Sequence, residues 1–171
     1  MKISIRELVI FAVFGALMFV SKILMQFLPN IHLLGLFIVA LTAVYRVKAL
    51  FPIAVYVFLD GLFSGFALWW YPYLYIWVVL WAFVMLLPKN MPVKIQLIVC
   101  PIISALHGLL FGVLYAPFQA IVFGLTFEGM LSWIAAGFVF DALHGVSNLV
   151  TGFAIVPMIK IIRICNGKKT N

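Results

Sequence analysis

The sequence predicts an all-α membrane protein: a six-transmembrane-helix bundle with N and C termini cytoplasmic. Two observations carry this. Of 171 residues, 67% are apolar and only 9% charged, against about a quarter charged in soluble domains. The basic residues also fall between hydrophobic segments in a regular alternation. A span needs roughly 20 apolar residues, so the chain holds about six spans joined by minimal loops, with no separate aqueous domain. The first apolar segment has no small-residue cleavage site and more spans follow it, so it is expected to be retained rather than removed as a signal peptide.

Charge sets the orientation. Lys2 and Arg6 precede the first span, Arg46 and Lys48 separate the second from the third, and Lys89 and Lys94 the fourth from the fifth. Lys160, Arg163, Lys168 and Lys169 close the chain. Only Lys22 among the 11 basic residues departs from this pattern. The positive-inside rule makes these connections cytoplasmic and puts the turns near Pro29, Pro72 and Pro117 outside. A net charge of +7 spread this way forms no continuous basic face, which excludes a nucleic-acid partner. Cys100 and Cys165 have no cysteine neighbours at metal-site spacing, so neither a disulfide framework nor a zinc site follows.

Taken in order, the spans are expected at residues 7–28, 32–45, 49–68, 73–88, 95–115 and 140–163. The first ends at the Pro29-Asn30 turn signal. The second is short for a crossing, so the loop before it must dip below the outer surface and open a cavity. Trp69, Trp70, Tyr71 and Tyr73 around Pro72 fit an interfacial belt. The fifth span is expected to break at Ala116-Pro117. Residues 118–139, bounded by connections of assigned sidedness, then form an outer interfacial or re-entrant segment. The tetrapeptide Ala-Leu-His-Gly occurs twice, at 105–108 and 142–145.

Polar groups are expensive inside a bilayer, and each needs a partner, water or a ligand. Asp60 lies deep in the third span, and Lys22 in the outer half of the first with Gln26 one turn on. Asp141, His144 and Asn148 follow at i, i+3 and i+7, on one helix face in the outer leaflet, and read as a pocket wall. His107, Gln119, Glu128 and His32 are candidates for the same space. Trp77 and Trp81, one turn apart, are candidates to stack on a planar ligand or hold a cation. Lys22 has two candidate partners, Asp60 and Glu128. Three outer acids against one lysine favour a ligand with a positive or hydrogen-bond-donating group. Ala12, Gly15 and Ala16 form a small-residue patch that permits close helix approach.

The length, the inside termini, the Ala12-Val13-Phe14-Gly15-Ala16 element, the closing first loop and the polar outer half of the last helix resemble one family across essentially the whole chain. That family is the substrate-binding S component of energy-coupling factor (ECF) transporters, and Ala12 and Ala16 match its AxxxA pattern. The resemblance implies a multi-pass protein of a prokaryotic cytoplasmic (inner) membrane that captures a vitamin-like or heterocyclic micronutrient from outside. Release inside would follow toppling of the S component. It also implies that Ala12 and Ala16 meet a coupling transmembrane subunit driven by a pair of ATPase subunits. No chemistry on the ligand, no catalytic residue and no cofactor are expected, and the chain has no phosphate-cradling Gly-Lys loop of its own. Rival readings are a self-sufficient proton-coupled carrier relaying protons through Lys22, Asp60 or Asp141, and an intramembrane metal-dependent enzyme using His107, His144, Asp141 and Glu128. A ligand-free scaffold is a third. The enzyme reading lacks a His-Glu-x-x-His run or a nucleophile beside a base.

Overall fold

The structure is a computed structural model that describes residues 2–28 and 30–167. Pro29, Lys168 and Lys169, which belong to the turn and charge patterns above, lie outside the described residues. Among those residues there is no strand. Five helical stretches are long and apolar enough to cross a membrane, and large apolar side chains such as Leu8, Phe63, Ile98 and Val150 stand exposed on the flanks. This is a multi-pass membrane protein with lipid as its lateral solvent.

Helix α1 spans Ile5–Leu24 and starts from a capping box. Ser4 Oγ accepts the Glu7 amide at 3.2 Å, and the Glu7 carboxylate accepts the Ser4 amide at 2.9 Å. Helix α2, Leu34–Tyr45, is the centre of the molecule: from Leu34 to Thr42 every residue is buried. A helix apolar and covered all round has no lipid face, so it must sit inside the others. Its 12 residues rise only about 18 Å.

At Arg46 the chain reverses. The residue has φ of 54°, a costly conformation for a non-glycine, and its own side chain helps to hold it there. The guanidinium donates to the carbonyls of Val84, Met85 and Leu87, while Trp81 Nε1 donates to the Arg46 carbonyl at 3.0 Å. These carbonyls lie at and just past the C-terminal end of helix α4 (Tyr73–Met85), where the helix supplies few donors of its own. After one 3-10 turn, α3 runs over Leu50–Ser64 beside α1. Lys48 pairs with Glu7 at one end and Lys22 with Asp60 at the other, so α3 is parallel to α1. The rings of Phe11 and Tyr45, and of Phe14 and Phe37, meet at 4.9 and 6.3 Å, which makes α2 antiparallel to both. The 31-residue stretch Leu34–Ser64 is therefore folded back on itself.

The second half is a long hairpin. Helix α5, Val93–Leu109, bends at Leu110 into α6, Phe111–Phe123; Gly124, at φ of 63°, ends α6, and Thr126 caps α7, Phe127–Gly152. This corrects the expected break at Ala116-Pro117 and the expected helix start at 140. Pro117 lies within α6, since proline is tolerated in membrane helices where neighbours satisfy the freed backbone. Residues 118–139 belong to both arms of the hairpin, and the helix expected to start at 140 starts at Phe127. After a kink at Phe153-Ala154 the chain continues as α8, Ile155–Cys165. Arg6 Nε donates to the Cys165 carbonyl at 2.9 Å. The two ends of the described chain thus meet at the same end of the bundle, beside the Arg46 turn.

The two Ala-Leu-His-Gly segments meet at the α5–α7 crossing. A Cβ on Gly108 would lie 2.9 Å from backbone atoms of His144 and Gly145, and one on Gly145 would lie 2.6 Å from Leu109. Backbones this close leave no room for a methyl group. Gly108→Ala is therefore expected to lower stability by about 1 to 3 kcal/mol through overpacking. Gly137→Ala, which has nothing within 4 Å, is expected not to. Thermal unfolding of the two variants in detergent checks the contrast, and equal melting points would refute it.

Candidate functional site

At the end of the bundle opposite the basic residues, the segment between α1 and α2 folds inward over a cavity of about 310 Å³. Because α2 begins only at Leu34, His32 hangs at its head among the helices rather than above them. The walls come from Lys22, Gln26, Asn30, His32, Tyr73, Phe111 and His144, with Met25, Leu28 and Ile31 supplying apolar surface.

Lys22 reaches across from α1 to Asp60 on α3, with Nζ at 2.6 and 2.7 Å from the two carboxylate oxygens. Of its two candidate partners, Asp60 is the one it meets. Asp60 is wholly buried and Lys22 keeps 27% of its side chain exposed, towards the cavity. The ammonium also lies 5.2 Å from the Trp69 ring centroid and 5.5 Å from that of Tyr73, where aromatic faces stabilise a cation.

Beneath the cavity is an aromatic and imidazole floor. The His32 and His144 rings meet edge to face at 4.5 Å, His144 and Phe111 are 5.1 Å apart, and Trp77 lies 5.8 Å from His32 and 5.7 Å from His107. His107 Nε2 is 3.0 Å from the Ile76 carbonyl, which makes it the donor and leaves Nδ1 as an acceptor. Among the described residues, His107 Nδ1, His32 Nδ1, His144 Nε2, Trp77 Nε1 and the Tyr56 hydroxyl are buried without a hydrogen-bond partner. Buried polar atoms are nearly always satisfied, and leaving one unmet costs about 1 to 3 kcal/mol. Of these residues only His32 and His144 line the cavity, whereas His107, Trp77 and Tyr56 are packed beneath it. No three His, Cys, Asp or Glu side chains among the described residues converge closely enough to hold a metal ion.

The expected wall of Asp141, His144 and Asn148 divides among three tasks. His144 lines the cavity. Asn148 packs at the crossing of α2, α5 and α7, with Nδ2 donating to the Ser104 carbonyl at 3.0 Å and Gly35 opposite it. Asp141 accepts the Gly112 amide at 3.1 Å, satisfying one of the N-terminal amides of α6. It lines a second chamber, of about 410 Å³, together with Gln119; the two spaces share Asn30 and Phe111.

Trp77 and His107, also expected at the site, are buried beneath the first chamber and line neither, and two further expected residues lie elsewhere. Trp81 is at the basic end, bonded to Arg46, because one turn down α4 from Trp77 carries it away from the cavity. Glu128 is exposed in the first turn of α7, near the hairpin tip, because that helix starts thirteen residues before the expected position 140. Neither lines a chamber. Tyr73, read from the sequence as interfacial belt, does line one, and so do Phe111, Tyr115 and Trp133, which were not singled out by sequence, although Phe111 and Tyr115 share a helix face at i and i+4. On α1, Gly15 is buried against Val55 and Pro52 of α3, whereas Ala12 is exposed and Ala16 half-buried.

No family model, curated protein or solved structure matches this chain, so its chemistry rests on these residues alone.

Removing one member of a buried ion pair strands the other. Lys22→Met is therefore expected to destabilise the protein by about 3 to 5 kcal/mol, whereas Lys22→Met with Asp60→Leu is expected to cost distinctly less. Unfolding both variants in detergent tests this, and an additive loss in the double variant would show that the two side chains are not coupled.

Proposed function

We propose that this chain is the substrate-specific binding subunit, or S component, of an ECF-type importer in a prokaryotic cytoplasmic membrane. It would take a vitamin-like or heterocyclic micronutrient from outside for ATP-driven uptake by partner subunits. In this reading the five apolar stretches become six crossings, because Leu34–Ser64 reverses at Arg46. The basic end, with both chain ends, faces the cytoplasm by the positive-inside rule.

One observation carries the reading: a polar cavity lined by the unpartnered imidazoles of His32 and His144 lies at the end away from the basic connections, under the segment between α1 and α2. Its volume is at the small-ligand end of the range for binding pockets. The imidazoles of His32 and His144 suit the edge of a heterocycle, and Phe111 and Tyr73 suit its faces. Ala12 and Ala16, outward on α1, leave a shallow surface on which a helix of the coupling subunit would approach closely. ATP hydrolysis belongs to a pair of ATPase subunits in this scheme.

The Lys22–Asp60 pair favours a second reading, a self-sufficient carrier in which protonation of Asp60 frees Lys22 and couples uptake to protons. Uptake by the chain alone in proteoliposomes with a pH gradient would support it.

Native mass spectrometry of the detergent-purified chain, expressed without partners, is expected to show one co-purifying small molecule at unit stoichiometry. His144→Ala should lose most of it while the protein stays in the membrane. Ala12→Leu or Ala16→Leu should retain it, yet fail to support uptake when a coupling module is co-expressed. An empty native chain that remains empty beside a coupling module would sink the binding-subunit reading.

A further inference from the structure

The second chamber differs in charge from the first. In the first, Lys22 is neutralised by Asp60. The chamber beside it contains a carboxylate, Asp141, and no basic residue lines it. Asp141 is only 5% exposed, and one of its oxygens is occupied by the Gly112 amide. Among the described residues no cation pairs with it and its other oxygen accepts no hydrogen bond.

The walls around that carboxylate are aromatic. Phe111, Tyr115, Trp133 and Phe140 line the space, with the Tyr115 and Trp133 rings stacked 5.9 Å apart at 20°. The Tyr115 hydroxyl donates to the Trp69 carbonyl at 3.0 Å, which fixes its ring. Gly112 is required where it stands: a Cβ there would collide with Asp141 Oδ2. The backbone is thus cut back to let the carboxylate reach its amide and remain beside the aromatic wall.

From this geometry we infer that the chamber beside Asp141 holds the positively charged nitrogen of an organic cation. A buried carboxylate without a counter-ion is costly, and a cation at this point satisfies it while lying against electron-rich ring faces. An anionic ligand would meet Asp141 with nothing to oppose the repulsion. The inference rests on the binding-subunit reading and names the charge class of its ligand: a molecule that spans both chambers, with its heterocyclic or hydrogen-bonding part over His32 and His144 and its cationic end at Asp141.

The test uses choline and its neutral isostere 3,3-dimethylbutan-1-ol, titrated into the detergent-purified full chain by ligand-observed NMR. Choline is expected to bind at least about tenfold more tightly than the isostere. Asp141→Asn, which keeps an oxygen for the Gly112 amide, should abolish that preference. Trp133→Leu should weaken choline by about threefold or more, and Glu128→Gln, at an exposed position, should change nothing. Equal binding of the two probes, no binding of either, or an undiminished preference in Asp141→Asn overturns the inference. The first comparison needs no variant, so poor folding of a mutant leaves it decisive. A neutral compound co-purifying with a chain that does not prefer choline would overturn the cationic ligand and leave the binding subunit standing. Choline preference in a chain that retains no compound and supports no coupled uptake would do the reverse.

Discussion

The bundle is arranged around the burial of a helix too short to cross a bilayer. Helix α2 rises about 18 Å against a hydrocarbon core of about 30 Å, and from Leu34 to Thr42 it has no surface to offer lipid. Its neighbours must enclose it, and something other than helix must fill the depth it leaves. At the basic end that role falls to the Arg46 reversal, tied to the end of α4 by guanidinium-to-carbonyl bonds. At the opposite end the segment before Leu34 folds inward and the cavity forms beneath it. Irregular backbone at membrane depth is tolerated where protein or water covers it, and here the two walls that cover it also carry the polar side chains.

The polar inventory is small and nearly all of it has an assignable task. Glu7 and Lys48 bind α1 to the Arg46 turn; Lys22 and Asp60 bind the far ends of α1 and α3. Asn148 fastens α5 to α7, and Asp141 caps α6. These contacts connect helices that apolar packing alone would leave free to slide, since lipid competes equally for apolar faces. Among the described residues, the buried polar atoms without a partner fall in three places: around His32, His107, His144, Trp77 and Tyr56, at Tyr45 and Arg46 by the turn, and at Ser104, Ser147 and Asn148 on α5 and α7.

Composition and charge spacing made the class of protein legible, since both follow directly from the cost of moving polar groups into hydrocarbon. The shortness of the second helix and the dipping loop were legible for the same reason, and with them the cavity over His32. The hairpin was not. Pro117 reads as a break because its missing amide breaks a helix in water, whereas the bend falls at Leu110, where no residue type announces it. That misplacement set residues 118–139 apart as a separate outer segment, and Glu128 with them. Asp141, His144 and Asn148 do share a face, but which neighbour each would meet depends on the approach of α2, α5 and α6, which periodicity along a single helix does not encode. Trp81 shows the same limit: one turn separates it from Trp77, and that turn moves it from the cavity floor to the Arg46 carbonyl.

The pairing of Lys22 with Asp60 also has a bearing on biosynthesis. The two residues are 38 positions apart, so at a synthesis rate of about 5 to 20 residues per second the lysine waits several seconds for its carboxylate. The order suits their side chains. Lys22 sits in the last turn of α1, and its long stem can snorkel towards the interface while it waits. Asp60 has a short stem and is buried completely, so it cannot reach water in that way. When α3 emerges, its carboxylate finds the ammonium already in place, and the later helix enters the bilayer without carrying an unpaired charge.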